Sequence, residues 1–140
     1  MKILIMGLPG SRKSTFAEKL TTELSTSSAT EWINADVLRK QFDDWDFSHQ
    51  GRIRQSRRMR EIADVSNRDF IIADFVCPLS EMRSIFEPHF LIWVDTIAES
   101  RFEDTNQVFV APAQYDIRVT EQDASKWAKL IYEQILKDIK

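Results

Sequence analysis

Residues 6–15, MGLPGSRKST, decide how the rest of the chain is read. Lys2–Met6 before them is a short apolar run, and Phe16, Ala17, Leu20 and Leu24 after them recur at helical spacing. Strand, glycine-containing turn and amphipathic helix, in that order, aim unpaired backbone N–H groups at one point, where an anion binds. Gly7, Lys13 and Ser14 fit the pattern G-x-x-x-x-G-K-[ST]. In that pattern backbone amides cradle phosphate, the lysine neutralises its charge and the hydroxyl holds Mg²⁺. Gly10 keeps the loop bare, and Ser11 and Thr15 stand beside the lysine–serine pair. Arg12 occupies the place of the last glycine. A side chain at that point predicts a backbone strain of ~1–3 kcal/mol. The sequence leaves open whether Arg12 faces solvent or adds its charge to a nucleotide. The expected cofactors are ATP and Mg²⁺, on a loop made by Gly7, Gly10, Ser11, Arg12, Lys13, Ser14 and Thr15.

Working outward, EWIN (31–34), FIIADF (70–75), FLIWVD (90–95) and YDIRV (115–119) read as further strands. Helices are predicted for Lys13 to about Leu24, for a turn from Asp36, for Arg52 to about Ser66, for PLSEMRSIF (78–86) and for Ile97 to Phe102, with EDTNQVFVAPAQ (103–114) as loop. A last helix is predicted after Thr120 as its cap, with Glu121 and Asp123 in the first turn and Ala124, Ala128, Ile131 and Ile135 on its inner stripe. Short apolar strands alternating with helices predict a parallel sheet covered on both faces. The expected fold is a three-layer α/β/α sandwich of the P-loop NTPase class with about five mostly parallel strands, as one domain over residues 1–140.

Parallel strands deliver their C-terminal ends to one edge, where ligands bind. FIIAD ends in Asp74, the form of a second acidic element that helps hold the metal, and Asp36 after the second strand is the other candidate. The expected metal set is Ser14, Asp36 and Asp74, with Asp95 on the same edge. Among the arginines from 52 to 60, most read as a solvated helix face, with Arg57–Glu61 and Arg60–Asp64 as i,i+4 pairs. Arg52 differs, because 52, 56, 59 and 63 form one inner stripe. An inward arginine needs a partner; a sulfate or phosphate is one, and Asp44 or Asp46 is the structural alternative. His49 and His89 read as incidental, Trp32, Trp93 and Trp127 as core, and Trp45 as lining a pocket for a planar substrate.

Net charge is −3, which disfavours tight binding of nucleic acid. One cysteine, Cys77, excludes an intrachain disulfide and fits a reducing cytoplasm. No apolar run approaches the ~20 residues of a membrane span.

Taken together, GLPGSRKST, INADVLRKQF, DFS, RIRQSRRMREIADV, FVCPLSEMR and VDT occur in the order and spacing of adenylylsulfate (APS) kinases, which the chain resembles over roughly residues 1–101. The resemblance implies a kinase that phosphorylates a hydroxyl of a small nucleotide-like acceptor. It puts Asp36 on the essential acidic position, as base or metal partner. It puts Arg39, Phe47, Arg52, Gln55 and Val76 on substrate-contacting positions, with Arg83 on an arginine just beyond. It puts Arg101 and the Ala111-Pro112 pair against the ATP adenine. Lys13 and Asp36 are then the expected catalytic residues. Three departures stand out: Arg12 for glycine, Asn34 for the first aspartate of D-G-D-x-x-R, and a shortened lid, with only RFEDTNQVFVAP (101–112) where the family carries a long basic segment. The rivals are a kinase for a hydroxyl on a nucleic-acid base or terminus and a nucleotide-binding module without transfer activity. The expected partners are a small molecule and no membrane; a homodimer stays open.

Overall fold

A computed structural model describes residues 1–138. The elements run β1 (Lys2–Met6), α1 (Lys13–Ser25), β2 (Thr30–Asn34), α2 (Ala35–Phe42), α3 (His49–Val65), β3 (Phe70–Asp74), α4 (Ser80–Phe86), β4 (Phe90–Val94), α5 (Glu103–Val108), β5 (Ile117–Val119) and α6 (Ala124–Asp138). The five strands form one sheet in the order β2-β3-β1-β4-β5, with every pairing parallel. Side chains alternate across β1. Ile3 and Ile5 enter one core with α1 and α6, while Leu4 and Met6 enter the other with α3 and α4. Two apolar faces of one sheet, each covered by helices, make the three layers. No helix of the described residues is long and apolar enough to cross a membrane.

The strands fall where the apolar runs put them, and the helix boundaries differ in three places. Helix α3 starts at His49, before Arg52, because the Ser48 side chain accepts a hydrogen bond from Gly51 N and caps it. Ile97–Phe102 is not helical; the helix is Glu103–Val108, inside the stretch read as loop. Its start is fixed by a staple in which Ser100 N and Oγ donate to Asn106 Oδ1 at 2.8 and 2.7 Å and Asn106 Nδ2 donates to Ser100 O at 2.8 Å. Nor does Thr120 cap the last helix. That helix begins at Ala124, Asp123 Oδ1 accepts from Lys126 N at 3.4 Å, and residues 120–123 form the turn instead. The inner stripe holds: Ala128, Ile131 and Ile135 are buried, with Ala124 packed against them.

Candidate active site

The loop after β1 folds as its glycines require. A Cβ on Gly7 would collide with Val94 O, so only a bare residue lets the loop pass β4. Gly10 has φ 85°. Arg12, with no such freedom, still takes φ 72° and ψ 37°, the left-handed region, and stands as the N-cap of α1. That conformation costs a Cβ-bearing residue about 1–2 kcal/mol, and a cation at a helix N-terminus opposes the helix dipole. The strain expected at this position is therefore present. Replacing Arg12 by Gly is expected to stabilise the nucleotide-free protein by about 1 kcal/mol, the relief exceeding the added freedom of the unfolded chain. Urea unfolding of the two proteins checks this, and nucleotide affinity is expected to hold or tighten. A tenfold loss of affinity, about 1.4 kcal/mol, would mean instead that the guanidinium contacts the nucleotide.

Lys13 is 9% exposed and its Nζ donates to Leu8 O at 3.1 Å. Burial pulls its pKa down, opposed by the charges of Asp74 and then Asp36. Across the loop, Ser14 Oγ donates to Asp74 Oδ2 at 2.9 Å. Asp74 is itself buried, and that burial pushes its pKa up against the pull of Lys13 and of hydrogen bonds from Ser14 and Asn34. Asn34 completes the group. Its Nδ2 donates to Ser14 Oγ and to Asp74 Oδ2, both at 3.0 Å, while its Oδ1 accepts from Val37 N and caps α2. Asn34 and Asp74 sit side by side because they are register partners on adjacent parallel strands. The sequence reading noted Asn34 only as a departure; the strand register is what places it in the site. An aspartate at 34 would set two carboxylates at this contact, so the amide removes a like-charge clash. Asp95, expected on the same edge, is taken up by Arg118 at 2.6 Å.

These groups open into a cavity of about 860 Å³. Gly10, Arg12, Lys13, Ser14 and Thr15 line its loop side, and Asp36, Asn34 and Asp74 its middle. Arg39, Phe47, Arg52, Gln55 and Val76 line the far wall, and Arg101 the rim. Trp45 lines it too, as expected, and is 52% exposed. A second cavity of about 490 Å³ lies on the other flank of the loop, between Ser11, Val94, Thr96 and the turn before α6; Arg12 and Thr15 line both. Gly7 lies beneath the loop, buried. Pro112, expected beside a base, lines neither cavity.

The far wall is held by its own hydrogen bonds. Arg39 Nη1 donates to Asp44 O and Asp46 O at 3.0 and 3.2 Å, and its guanidinium lies 4.2 Å from the Phe47 ring centre. Arg52 is inward as its stripe predicted, 6% exposed. Its partners are Phe47 O at 2.8 Å, Thr105 Oγ1 at 3.3 Å and, more loosely, Asp104 at 3.7 Å. Neither Asp44 nor Asp46 pairs with it. Both carboxylates are engaged by Arg54, and Asp44 also by Arg58, which together hold Asp44 far below the usual carboxylate range. Burial lowers the pKa of both Arg39 and Arg52. Arg60 meets Asp64 at 3.2 Å as its spacing predicted, whereas no Arg57–Glu61 pair forms among the described residues. His49 meets Glu81 on the surface, and His89 Nδ1 accepts from Lys2 N, so both stay outside the site.

The segment around Val110 is anchored from below. Arg83 donates from Nε to Cys77 O at 3.1 Å and from Nη2 to Pro78 O at 3.2 Å and to Val110 O, while Val110 N donates to Pro78 O at 2.8 Å. The guanidinium also faces the Phe109 ring at 5.8 Å.

A five-stranded parallel sheet with a glycine-bent loop at the end of its central strand, a buried lysine and a serine–aspartate contact define the P-loop kinase class. Solved structures agree on the fold. A Mycobacterium tuberculosis APS kinase CysC in complex with AMPPNP and APS is 18% identical, with 96% of each chain covered and a TM-score of 0.80. The protein APE1195 is 18% identical over 100% of this chain and 97% of its own, with a TM-score of 0.84. A shikimate kinase from Aquifex aeolicus is 13% identical over 99% of this chain and 98% of its own, with a TM-score of 0.70. Residues 1–117 match the adenylylsulphate kinase family, and the chain belongs to it. No curated protein sequence matches the chain.

Proposed function

We propose that this protein is a single-domain, ATP-dependent kinase that transfers the γ-phosphate to a hydroxyl of a small nucleotide-like acceptor. One observation carries the reading: the loop bearing Lys13 and Ser14, the acid Asp74, and a wall bearing Asp36, Arg39 and Arg52 all face a single cavity. Donor phosphates sit on the backbone N–H groups of the loop, with Ser11 and Thr15 on its flank. Lys13 exchanges Leu8 O for a phosphate oxygen and regains by charge pairing what burial costs its ammonium. Family membership supports ATP as the donor. The smaller cavity, reached past Arg12 and Thr15, has room for the donor's base on a different side from Arg101 and Pro112.

The oxygens of Ser14 and Asp74 fit Mg²⁺, a hard cation held by one or two protein oxygens together with phosphates and water. When bound it neutralises charge on the transferring phosphate. Asp36, on the same side of the cavity, orients or deprotonates the acceptor hydroxyl for in-line attack. Arg39, Phe47, Arg52, Gln55 and Val76 hold the acceptor.

A coupled ADP-release assay with Mg·ATP over a panel of acceptor alcohols, adenylylsulfate among them, tests this. ADP release that depends on an added acceptor is the expected result. Adenylylsulfate is expected to be turned over with kcat/KM well below about 10⁶ M⁻¹s⁻¹, because the shortened lid encloses it less from water. Nucleotide binding with no acceptor-dependent release would leave a binding module, the second reading, which the strained Arg12 favours.

A further inference from the structure

We infer that Asn34 keeps the Ser14–Asp74 pair from taking up a free divalent cation, so that metal enters this site with the nucleotide and not ahead of it. This rests on the reading of Ser14 and Asp74 as the protein oxygens that hold Mg²⁺.

The Asn34 amide turns its two ends in opposite directions. Its Nδ2 lies 3.0 Å from Ser14 Oγ and 3.0 Å from Asp74 Oδ2, the same carboxylate oxygen that accepts from Ser14 at 2.9 Å. An amide nitrogen offers only N–H donors. A cation brought to these two oxygens therefore meets the positive end of the amide, and like charges at such range repel. The carbonyl end, which a hard cation prefers, faces away. Oδ1 accepts from Val37 N at 3.1 Å and closes the first turn of α2. Turning the amide end for end would give the cation a third oxygen but strip α2 of its cap. The backbone leaves little other freedom. Asn34 is the last residue of β2, in register with Asp74 on β3, and it is also the residue on which α2 starts. Sheet and helix together fix where its side chain begins.

Charge argues in the same direction. Asp74 is the carboxylate that bonds Ser14, and the ammonium of Lys13 acts on it through its charge. Among the described residues no three His, Cys, Asp or Glu side chains gather into a cation site. The larger cavity is lined by five Arg and Lys side chains against four Asp and Glu. Such a lining has no negative surplus for a bare divalent ion, whereas it attracts a polyphosphate. A cation carried in on phosphate oxygens brings its own negative charge and most of its ligands, and it needs only one or two oxygens from the protein. Asn34 is thus a positioning residue that sets the order in which the site fills.

The test is binding of Mn²⁺, which takes the same oxygen ligands as Mg²⁺, to the nucleotide-free protein and to Asn34→Asp. Loss of the free-ion signal in electron paramagnetic resonance reports uptake. An aspartate keeps an oxygen for the cap and turns its second oxygen toward Ser14 and Asp74. The parent protein is expected to leave Mn²⁺ free up to about millimolar and to take it up once ADP is added. Asn34→Asp is expected to bind Mn²⁺ without nucleotide about tenfold or more tighter, because the ion joins two carboxylates that otherwise repel. For the same reason its thermal midpoint is expected to fall in chelator and to recover with Mn²⁺. Asn34→Ser keeps a capping oxygen and loses the N–H donors without adding charge. It is expected to fall between the two, and it decides the matter where the aspartate variant does not fold. Free Mn²⁺ bound as tightly by the parent as by the variants, or uptake by the parent that ADP does not improve, would each overturn the inference. ADP release with an added acceptor, measured in parallel, keeps the two readings apart. Tighter Mn²⁺ binding in the variants without transfer by the parent would end the kinase reading and leave the role of Asn34 standing; transfer with no gain in either variant would do the reverse.

Discussion

Lys13→Ala is expected to abolish binding of Mg·ATP and Mg·ADP, with no heat change or thermal shift up to about millimolar nucleotide, which leaves any residual binding weaker than about 4 kcal/mol. The reason lies in the state of the lysine before ligand arrives. Its ammonium is nearly buried, holds a single loop carbonyl, and is disfavoured by that burial. The fold therefore carries a cation at a cost, and that cost is recovered when phosphate oxygens replace the carbonyl. Truncation removes the charge and leaves a cradle of amides too weak for a polyphosphate beside Asp74. Because the lysine is a burden on the empty protein, the variant is expected to remain folded, with a thermal midpoint no lower than that of the parent. Retained nucleotide binding would remove the assignment of residues 7–15 as the donor site.

Asp36→Asn is expected to lower kcat about 100-fold or more, the usual scale for a positioned base, with a much smaller change in ATP affinity. Asp36 sits in the first turn of α2, is exposed to the cavity, and acts on Lys13 only through its charge. Asp74, in contrast, bonds Ser14 directly and is nearly buried. On the proposed reading the two acids divide between acceptor and metal. The amide keeps the shape of Asp36 and loses its basicity, so binding and transfer separate cleanly in steady-state kinetics. Full activity in this variant would move the base role to Asp74.

The central strands β1 and β3 were legible because each is a short apolar run buried along its whole length, and burial on both faces leaves little else that such runs can do. The phosphate loop was legible, despite Arg12, because Gly7, Gly10, Lys13 and Ser14 stand between an apolar strand and an amphipathic helix. Arg52 was legible from one stripe of α3, though its partners were not: Thr105 and Asp104 lie more than fifty positions away, on a helix without an apolar period. Only Thr105 of that helix is buried, so nothing in its hydrophobicity marked it, and the Ser100–Asn106 staple that begins it is made of polar groups with no pattern of their own. The Asn34 contact with Asp74 was hidden for a related reason. It depends on strand register, which composition does not encode.

Arg83 has a mechanical consequence. Its guanidinium joins three carbonyls, two from the β3–α4 connection and one from the lid segment, and the Arg83 residue is 7% exposed. Lifting the segment around Val110 would strip bonds from a buried charged group, at a cost of about 1–3 kcal/mol. The segment around Val110 is thus tied through one side chain to the β3–α4 connection beneath it, so a movement of either pulls on the other.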